Sequence, residues 1–278
     1  MLTVDVIILV MKAVLITGVS GGVGFETAKR FLFEDYVVFG LDIKEPLEKH
    51  NNLRFIKTDI TKENEIIGAF KVVEESGYKL SAIISTAGIY ELNSLVEISE
   101  EDFIKIFNIN AFSIFRINKI FLPLLEEKGK IIMISSELAP LDPLPFTGVY
   151  AISKSLIEKY AYSLRMELQL LGYQVVLVRP GAIDTKMIDV SLKKLNKFTS
   201  ETTHYQYNSK RFLKIVNSVE NKKVHPNKIA SLIYKISQKK KPRYVYKINR
   251  NPLLVLLNIF PHRFQNWIIK KVLTSKYL

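Results

Sequence analysis

Six short runs of apolar, mostly branched residues recur through the first 180 positions: AVLIT (13–17), YVVFGLD (36–42), RFIKTD (54–59), AIIST (82–86), KIIMIS (130–135) and QVVLVRP (174–180). Several are near-continuous rather than alternating. That pattern marks strands buried on both faces, as in a parallel sheet covered by helices on each side. Segments 23–34, 63–76, 100–126 and 149–171 carry apolar residues at helical spacing. Six β-α repeats with right-handed crossovers fold as α/β, a doubly wound parallel sheet in three layers. Its ligand sits beyond the carboxyl ends of the strands.

After Pro180 the pattern loosens. Residues 184–222 read as a helix-rich excursion, 225–238 as a further helix and RYVYKI (243–248) as a last strand. The tail, 249–278, offers two short apolar segments broken by Pro261. With 278 residues, 48% of them hydrophobic, the chain can bury one large core, and a single domain over 11–278 is expected. The start, MLTVDVIILV, is too short to span a bilayer and lacks a signal peptide's basic region. Residues 1–10 read as an extension, an extra edge segment or an anchor.

Composition excludes several chemistries. There is no cysteine, hence no disulfide and no thiolate ligand or nucleophile, which suits a reducing, cytoplasmic setting. The four histidines (His50, His204, His225 and His262) lack metal-ligand spacing, so no metal site is expected. The net charge of +13 is lopsided: residues 186–278 hold 21 Lys and Arg against three acids. That third of the chain suggests an anionic partner, such as membrane headgroups, an anionic substrate or nucleic acid, or else a solvated basic surface.

The loop after the first run reads TGVSGGVG (17–24). Glycine at Gly18, Gly22 and Gly24 permits a tight turn and close backbone approach to a pyrophosphate, and the helix starting near Val23 aims its N–H groups at the anion. Asp42 closes the second run. A carboxylate there accepts both ribose hydroxyls of an adenosine and repels a 2′-phosphate, which favours NAD(H) over NADP(H), with Lys44 nearby to soften the preference. Further on, VYAISKS sets Tyr150 four positions before Lys154. About one such pair is expected by chance in a chain of this composition. On a helix the two share a face, and an ammonium beside a phenol of reference pKa near 10 is expected to lower it toward general acid–base use.

In order, TGxxxGxG, the strand-ending Asp42, TDIT (58–61), an xxAG motif and Tyr-x-x-x-Lys make residues 12–185 resemble the short-chain dehydrogenase/reductase family. The resemblance implies a Rossmann-like fold with a helical substrate lid at 184–222 and a C-terminal tail. It further implies hydride transfer between NAD(P) and an alcohol or a ketone or aldehyde, with Tyr150 as general acid/base and Lys154 also holding the nicotinamide ribose. Carried over by position, cofactor contacts fall on Thr17, Gly18, Ser20, Gly22, Val23, Gly24, Asp42, Ile43, Asp59, Ile60, Ala87 and Gly88. They continue on Tyr150, Lys154, Pro180, Gly181, Ile183 and Thr185. The usual amides before the Ala-Gly pair are replaced by Ser85 and Thr86. Of the two serines ending the fifth run, Ser136 is chosen over Ser135 to polarise the substrate carbonyl. Asn110 is chosen over Asn108 for the helix asparagine whose backbone carbonyl positions a relay water.

The long, basic and aromatic segment after Thr185 and the leucine-rich tail, similar to that of hydroxysteroid and retinol dehydrogenase-like members, suggest a bulky hydrophobic substrate of steroid, retinoid or acyl type. The tail suits contact with a membrane surface, a second subunit or its own domain. By resemblance, the helices at 100–126 and 149–171 form the interface of a homodimer or homotetramer. Three other readings stand beside this one: an NAD-binding regulator or scaffold without turnover, a 3-oxoacyl-type reductase, and a nucleic-acid-associated protein. The last lacks any binding motif, and no specific nucleic acid is expected.

Overall fold

The computed structural model describes residues 11–219 and 223–275. The 1–10 extension, positions 220–222 of the excursion and positions 276–278 of the tail lie outside the described residues. The strands are β1 (Ala13–Thr17), β2 (Val37–Asp42), β3 (Leu53–Lys57), β4 (Leu80–Ser85), β5 (Leu125–Ile134), β6 (Gln174–Pro180) and β7 (Val245–Ile248). They form one sheet in the order β3-β2-β1-β4-β5-β6-β7, parallel throughout. The order reverses between β1 and β4, which opens a crevice at the carboxyl edge there.

Burial on both faces explains the near-continuous runs. Ala13 and Leu15 of β1 join Phe39, Ile83, Ile131 and Leu177 in one core, packed against α2 (Glu63–Glu75), α4 (Ser113–Phe121) and α5 (Gly148–Leu168). Val14 and Ile16 point the other way. They join Val38, Ala82 and Ile132 under α1 (Gly22–Phe33) and α8 (Pro226–Ser237). A third cluster stands off the sheet: Leu92, Phe146, Leu195, Phe198, Phe212 and Leu273. It is built largely from α6 (Lys186–Glu201), α7 (Gln206–Val219) and α10 (His262–Thr274). The short α9 (Pro252–Leu257) precedes α10, and Pro261 separates them.

Two expectations are corrected. No helix joins β2 to β3, so the chain does not complete six β-α repeats; the link, IKEPLEKHNN, is mostly charged or polar and has no helical apolar stripe to bury. The helix expected over 100–126 is also broken. It runs as α3 (Glu100–Phe107), a π-helical turn (Asn108–Phe112), α4 and a 3₁₀ turn (Leu122–Leu124) with Pro123 inside it. β5 then begins at Leu125, and its pairing with β4 shifts register between Leu80 and Ala82.

Candidate active site

Steric fit defines the glycine loop. Gly18 has φ +78°, and a Cβ there would lie 3.0 Å from the Ala87 backbone, so left-handed conformation and close approach both require glycine. A Cβ on Gly24 would sit 2.0 Å from the Gly18 carbonyl oxygen, and one on Gly22 would lie 2.4 Å from Thr185 Cγ2. The loop is thereby pressed against both the β4 end and the segment after β6. Thr86 Oγ1 donates to the Thr17 carbonyl (2.5 Å), and Ala87 N donates to Thr17 Oγ1 (3.3 Å). Threonine thus supplies one tie where the resemblance led us to look for an amide. Ser85, buried within β4, leaves its hydroxyl without a partner among the described residues.

Asp42 ends β2 with both carboxylate oxygens engaged from the loop side: Ser20 N donates to Oδ2 (3.0 Å) and Lys44 N to Oδ1 (3.1 Å). Ile43 beside it is exposed. Asp59, past the end of β3, makes only local bonds among those observed, accepting from Thr61 N (3.0 Å) and Thr61 Oγ1 (2.7 Å). Burial pushes its carboxyl up, but the Thr61 bonds and the Lys62 ammonium outweigh that and hold it below the usual range. Ile60 follows it in the same turn. A dinucleotide fits these features: a cradle with no room for side chains, the start of α1, whose first turn begins at Gly22, and a carboxylate at the strand end.

At the other side of the crevice, α5 starts at Gly148 and presents Tyr150 and Lys154 on one face. The Lys154 Nζ lies 5.8 Å from the Tyr150 ring centre and donates to the Ile134 carbonyl at 3.1 Å. Ser136 lies close enough to Tyr150 to bear on its phenol, and its Oγ accepts from Leu138 N (3.2 Å). Ser135 instead donates to Glu158 Oε1 (2.8 Å), which also accepts from Arg179 Nε (2.6 Å). The two serines therefore have different neighbours, Ser136 beside Tyr150 and Ser135 bonded to the Glu158–Arg179 ion pair.

The π turn explains how Asn110 arrives here. It is fully buried, accepts from Ile89 N (2.8 Å) through Oδ1, and donates through Nδ2 to the Ile89 carbonyl (3.0 Å) and Ser153 Oγ (3.1 Å). A Cβ on Gly88 would stand 3.2 Å from Asn110 Oδ1 and 3.6 Å from Lys154 Nζ. Gly88, Asn110 and Lys154 thus converge. After β6, Gly181 N donates to the Ile248 carbonyl (2.9 Å) and Ile183 bridges to Val224. Thr185 is the N-cap residue of α6.

The electrostatics differ from expectation in one respect. Burial pushes the Tyr150 phenol up to about 12; the Ser136 hydroxyl opposes this, and the Glu137 charge adds to it. Burial pushes Lys154 down to about 8. The expected depression of the phenol by the neighbouring ammonium does not occur, because desolvation disfavours both charged forms.

Five residues escaped sequence reasoning. Tyr90 packs edge-on against Tyr150, ring centres 4.5 Å apart. Ser191 of α6 donates to the Tyr90 carbonyl (2.6 Å), and Lys194 pairs with buried Glu91. Glu137 is buried next to Ser136 and accepts from Asn251 N (2.6 Å). Tyr90 lies two positions past Gly88 and Glu137 one past Ser136, yet only the tertiary packing of α6 and the tail reveals what they touch.

A family model described as short chain dehydrogenase matches residues 12–196. The chain is 30% identical over 249 residues to a 3-ketodihydrosphingosine reductase of Bacteroides thetaiotaomicron, covering 88% of this chain and 90% of that one. It is 27% identical over 279 residues to an NADPH-dependent 3-dehydrocapnine reductase of Ornithobacterium rhinotracheale, covering 94% and 97%. In fold it is similar to a short-chain dehydrogenase from Streptomyces avermitilis, with a TM-score of 0.74 at 18% identity over 96% of this chain and 99% of that one.

Proposed function

The chain belongs to the short-chain dehydrogenase family and is an NAD(P)-dependent oxidoreductase; from that premise we propose that it reduces the ketone of a long-chain lipid, with Tyr150 as proton donor and NADH preferred. The observation that carries the reading is the convergence of Ser136, Lys154 and Asn110 on Tyr150 and Gly88.

When bound, the reduced dinucleotide supplies the hydride; the chain supplies the proton and the positioning. Gly18, Gly22 and Gly24, with Ser20 and Val23 between them, would hold the pyrophosphate at the start of α1, and Asp42 would accept from the adenosine ribose, with Thr17, Ile43, Asp59, Ile60 and Ala87 contributing to that half of the site. Lys154 and Gly88 would hold the nicotinamide ribose, and Pro180, Gly181, Ile183 and Thr185 its carboxamide. Ser136 donates to the substrate carbonyl oxygen, and Tyr150 Oη gives its proton to the same atom. A phenol held near 12 is fully protonated at neutral pH, the form a proton donor in reduction needs. The Lys154 ammonium, near 8, still carries most of its charge there and would hold the nicotinamide ribose hydroxyls. The Asn110 side chain fixes the Ile89 backbone, which leaves its own carbonyl as the relay position.

The substrate class rests on the aromatic cluster beside Tyr90 and on two relatives whose names specify lipid-type ketone reductases. α6 and α7 act as the lid, with Ser191 tying α6 to the Tyr90 backbone. A steroid or retinoid alcohol is the second substrate reading, favoured by the same apolar cluster. NADPH is the alternative coenzyme, for which Lys44 would supply a cation; the name of the capnine relative points that way, and Asp42 against it.

Tyr150→Phe should lower kcat by about 10²–10⁴-fold while NADH binding, read by fluorescence titration, stays within a factor of about two. The wild-type chain assayed with a long-chain 3-keto lipid should show higher kcat/KM with NADH than with NADPH. Normal turnover by the phenylalanine variant would refute the proton-donor assignment.

A further inference from the structure

The tail contains a surface that the catalytic reading leaves unused. α10 is held from its inner side: Leu273 lies in the third core cluster, and Gln265, 4% exposed, donates to the Phe260 carbonyl (2.8 Å) and Asp142 Oδ2 (3.2 Å). From α7, Asn208 donates to the Leu273 carbonyl (2.9 Å) and Tyr207 to that of Ser275 (2.6 Å). The opposite side carries apolar groups in water. Leu253, Ile259 and Trp267 are 69%, 73% and 55% exposed. Phe260, Phe264 and Trp267 pack on one another, ring centres 5.0 and 5.7 Å apart, the last pair stacked. An exposed apolar group of this size, three of its rings in contact, marks a site that is covered in use.

Charge indicates what covers it. Arg250, Arg263, Lys270 and Lys271 are exposed around the patch, and no Asp or Glu follows Glu220 in the sequence. Two copies joined through this face would set like charges against each other. An anionic bilayer satisfies both halves of the surface, headgroups meeting Lys and Arg while Leu and aromatic side chains enter the acyl boundary. α10 also lines a cavity of about 580 Å³ with Leu95, Val96, Phe146 and Ile269, and Lys270 stands at its edge. Asn266 and Lys270, which flank Trp267 along α10, also line that cavity, and Leu95 and Val96 in its lining are exposed.

We infer that the outer face of α9 and α10 docks on an anionic lipid surface and sets the cavity against it, so that a lipid enters from the bilayer. The docking face stands on the patch alone; the entry route rests on the lipid-ketone reading above. The chain's single tryptophan, Trp267, reports on it directly. With the full chain at low salt, phosphatidylglycerol vesicles should shift Trp267 emission to the blue and brominated acyl chains should quench it; phosphatidylcholine should bind at least about tenfold more weakly. The triple variant Leu253→Ser, Ile259→Ser, Phe264→Ser should lose at least about tenfold in vesicle affinity, with turnover of a short, water-soluble ketone unchanged. Equal binding to both lipids, no spectral shift, or binding untouched by the triple variant would overturn the docking face. So would a patch already shielded from acrylamide by self-association that the triple variant abolishes. Vesicle binding without turnover of any keto lipid would refute the substrate reading and leave the docking face standing.

Discussion

At the scale of single residues, Lys154 shows what the site costs the fold. Its ammonium is buried and has one observed hydrogen-bond acceptor, the Ile134 carbonyl, and its pKa falls from 10.5 to about 8. At 1.36 kcal/mol per pKa unit, keeping that charge at neutral pH costs on the order of 3 kcal/mol. The unfolded chain retains the proton up to about 10.5, so between pH 8 and 10.5 it binds more protons than the folded one, and stability rises with pH in that window. Tyr150 works the other way: its folded value near 12 lies above 10.0, so its contribution declines only above pH 10. Lys154→Met, which fills the space without a charge, removes the lysine's penalty. The stability difference between Met and Lys variants, from urea midpoints, should shift in favour of lysine as pH rises from 8 to 10. A difference independent of pH would mean that the lysine is not buried as a cation. Reduction by the wild-type chain should decline above about pH 8, as the ammonium is lost.

At the scale of elements, the strands were legible because burial on both faces leaves an unbroken apolar run, as at AVLIT and QVVLVRP. The π turn was not, since FNINAFSIF keeps a helix-compatible pattern and one extra residue in the turn does not disturb it. Asn110 and Ser136 are picked out by the family resemblance, whereas the partners of Tyr90 and Glu137 depend on how distant segments return. The same holds for the clamp between the loop after β4 and the α6–α7 junction. Glu97 accepts from Thr202 Oγ1 (2.6 Å), Thr203 N (2.9 Å) and His204 N (3.1 Å). The Thr202 hydrogen bond, with those of His204 and Thr203, pulls its carboxyl down to about 2 against the effect of burial. A depressed carboxyl gives its full stabilisation above the unfolded value of 4.5 and loses it as pH falls toward 2. Glu97→Ala should therefore speed amide exchange at Thr203 and His204 while the amides of β1 and β4 keep their protection. Hydrogen exchange read by NMR checks this, and uniform acceleration across the sheet would mean that the clamp holds the whole fold rather than the junction.

At the scale of the whole molecule, two exposed apolar surfaces among the described residues differ in character. The one on α9 and α10 is ringed by cations. The other spans α4 and α5, where Phe112 and Phe115 are 45% and 48% exposed and Ile152, Leu156 and Met166 project from the neighbouring helix. Phe115 meets Tyr160 edge-on at 6.3 Å, so the two helices present one continuous face. Near it stand acids as well as bases, Glu167 with Lys119 and Lys159, and a two-fold axis lets such mixed charges pair across an interface. This is the surface that would join two subunits. A two-fold contact doubles every substitution, placing the new group against its own copy or close to it. Phe115→Glu would bring two carboxylates into the apolar centre, where leaving them unpaired costs several kcal/mol. Sedimentation equilibrium should give a mass that is an even multiple of 31.9 kDa for the wild-type chain and a smaller assembly for the variant. Gly18, Gly88, Ser136, Tyr150 and Lys154 of the candidate site all come from one chain, so the dissociated variant should keep its NADH affinity. If Phe115→Glu sediments like the wild type, subunits meet elsewhere or not at all, and the α4–α5 face remains in water.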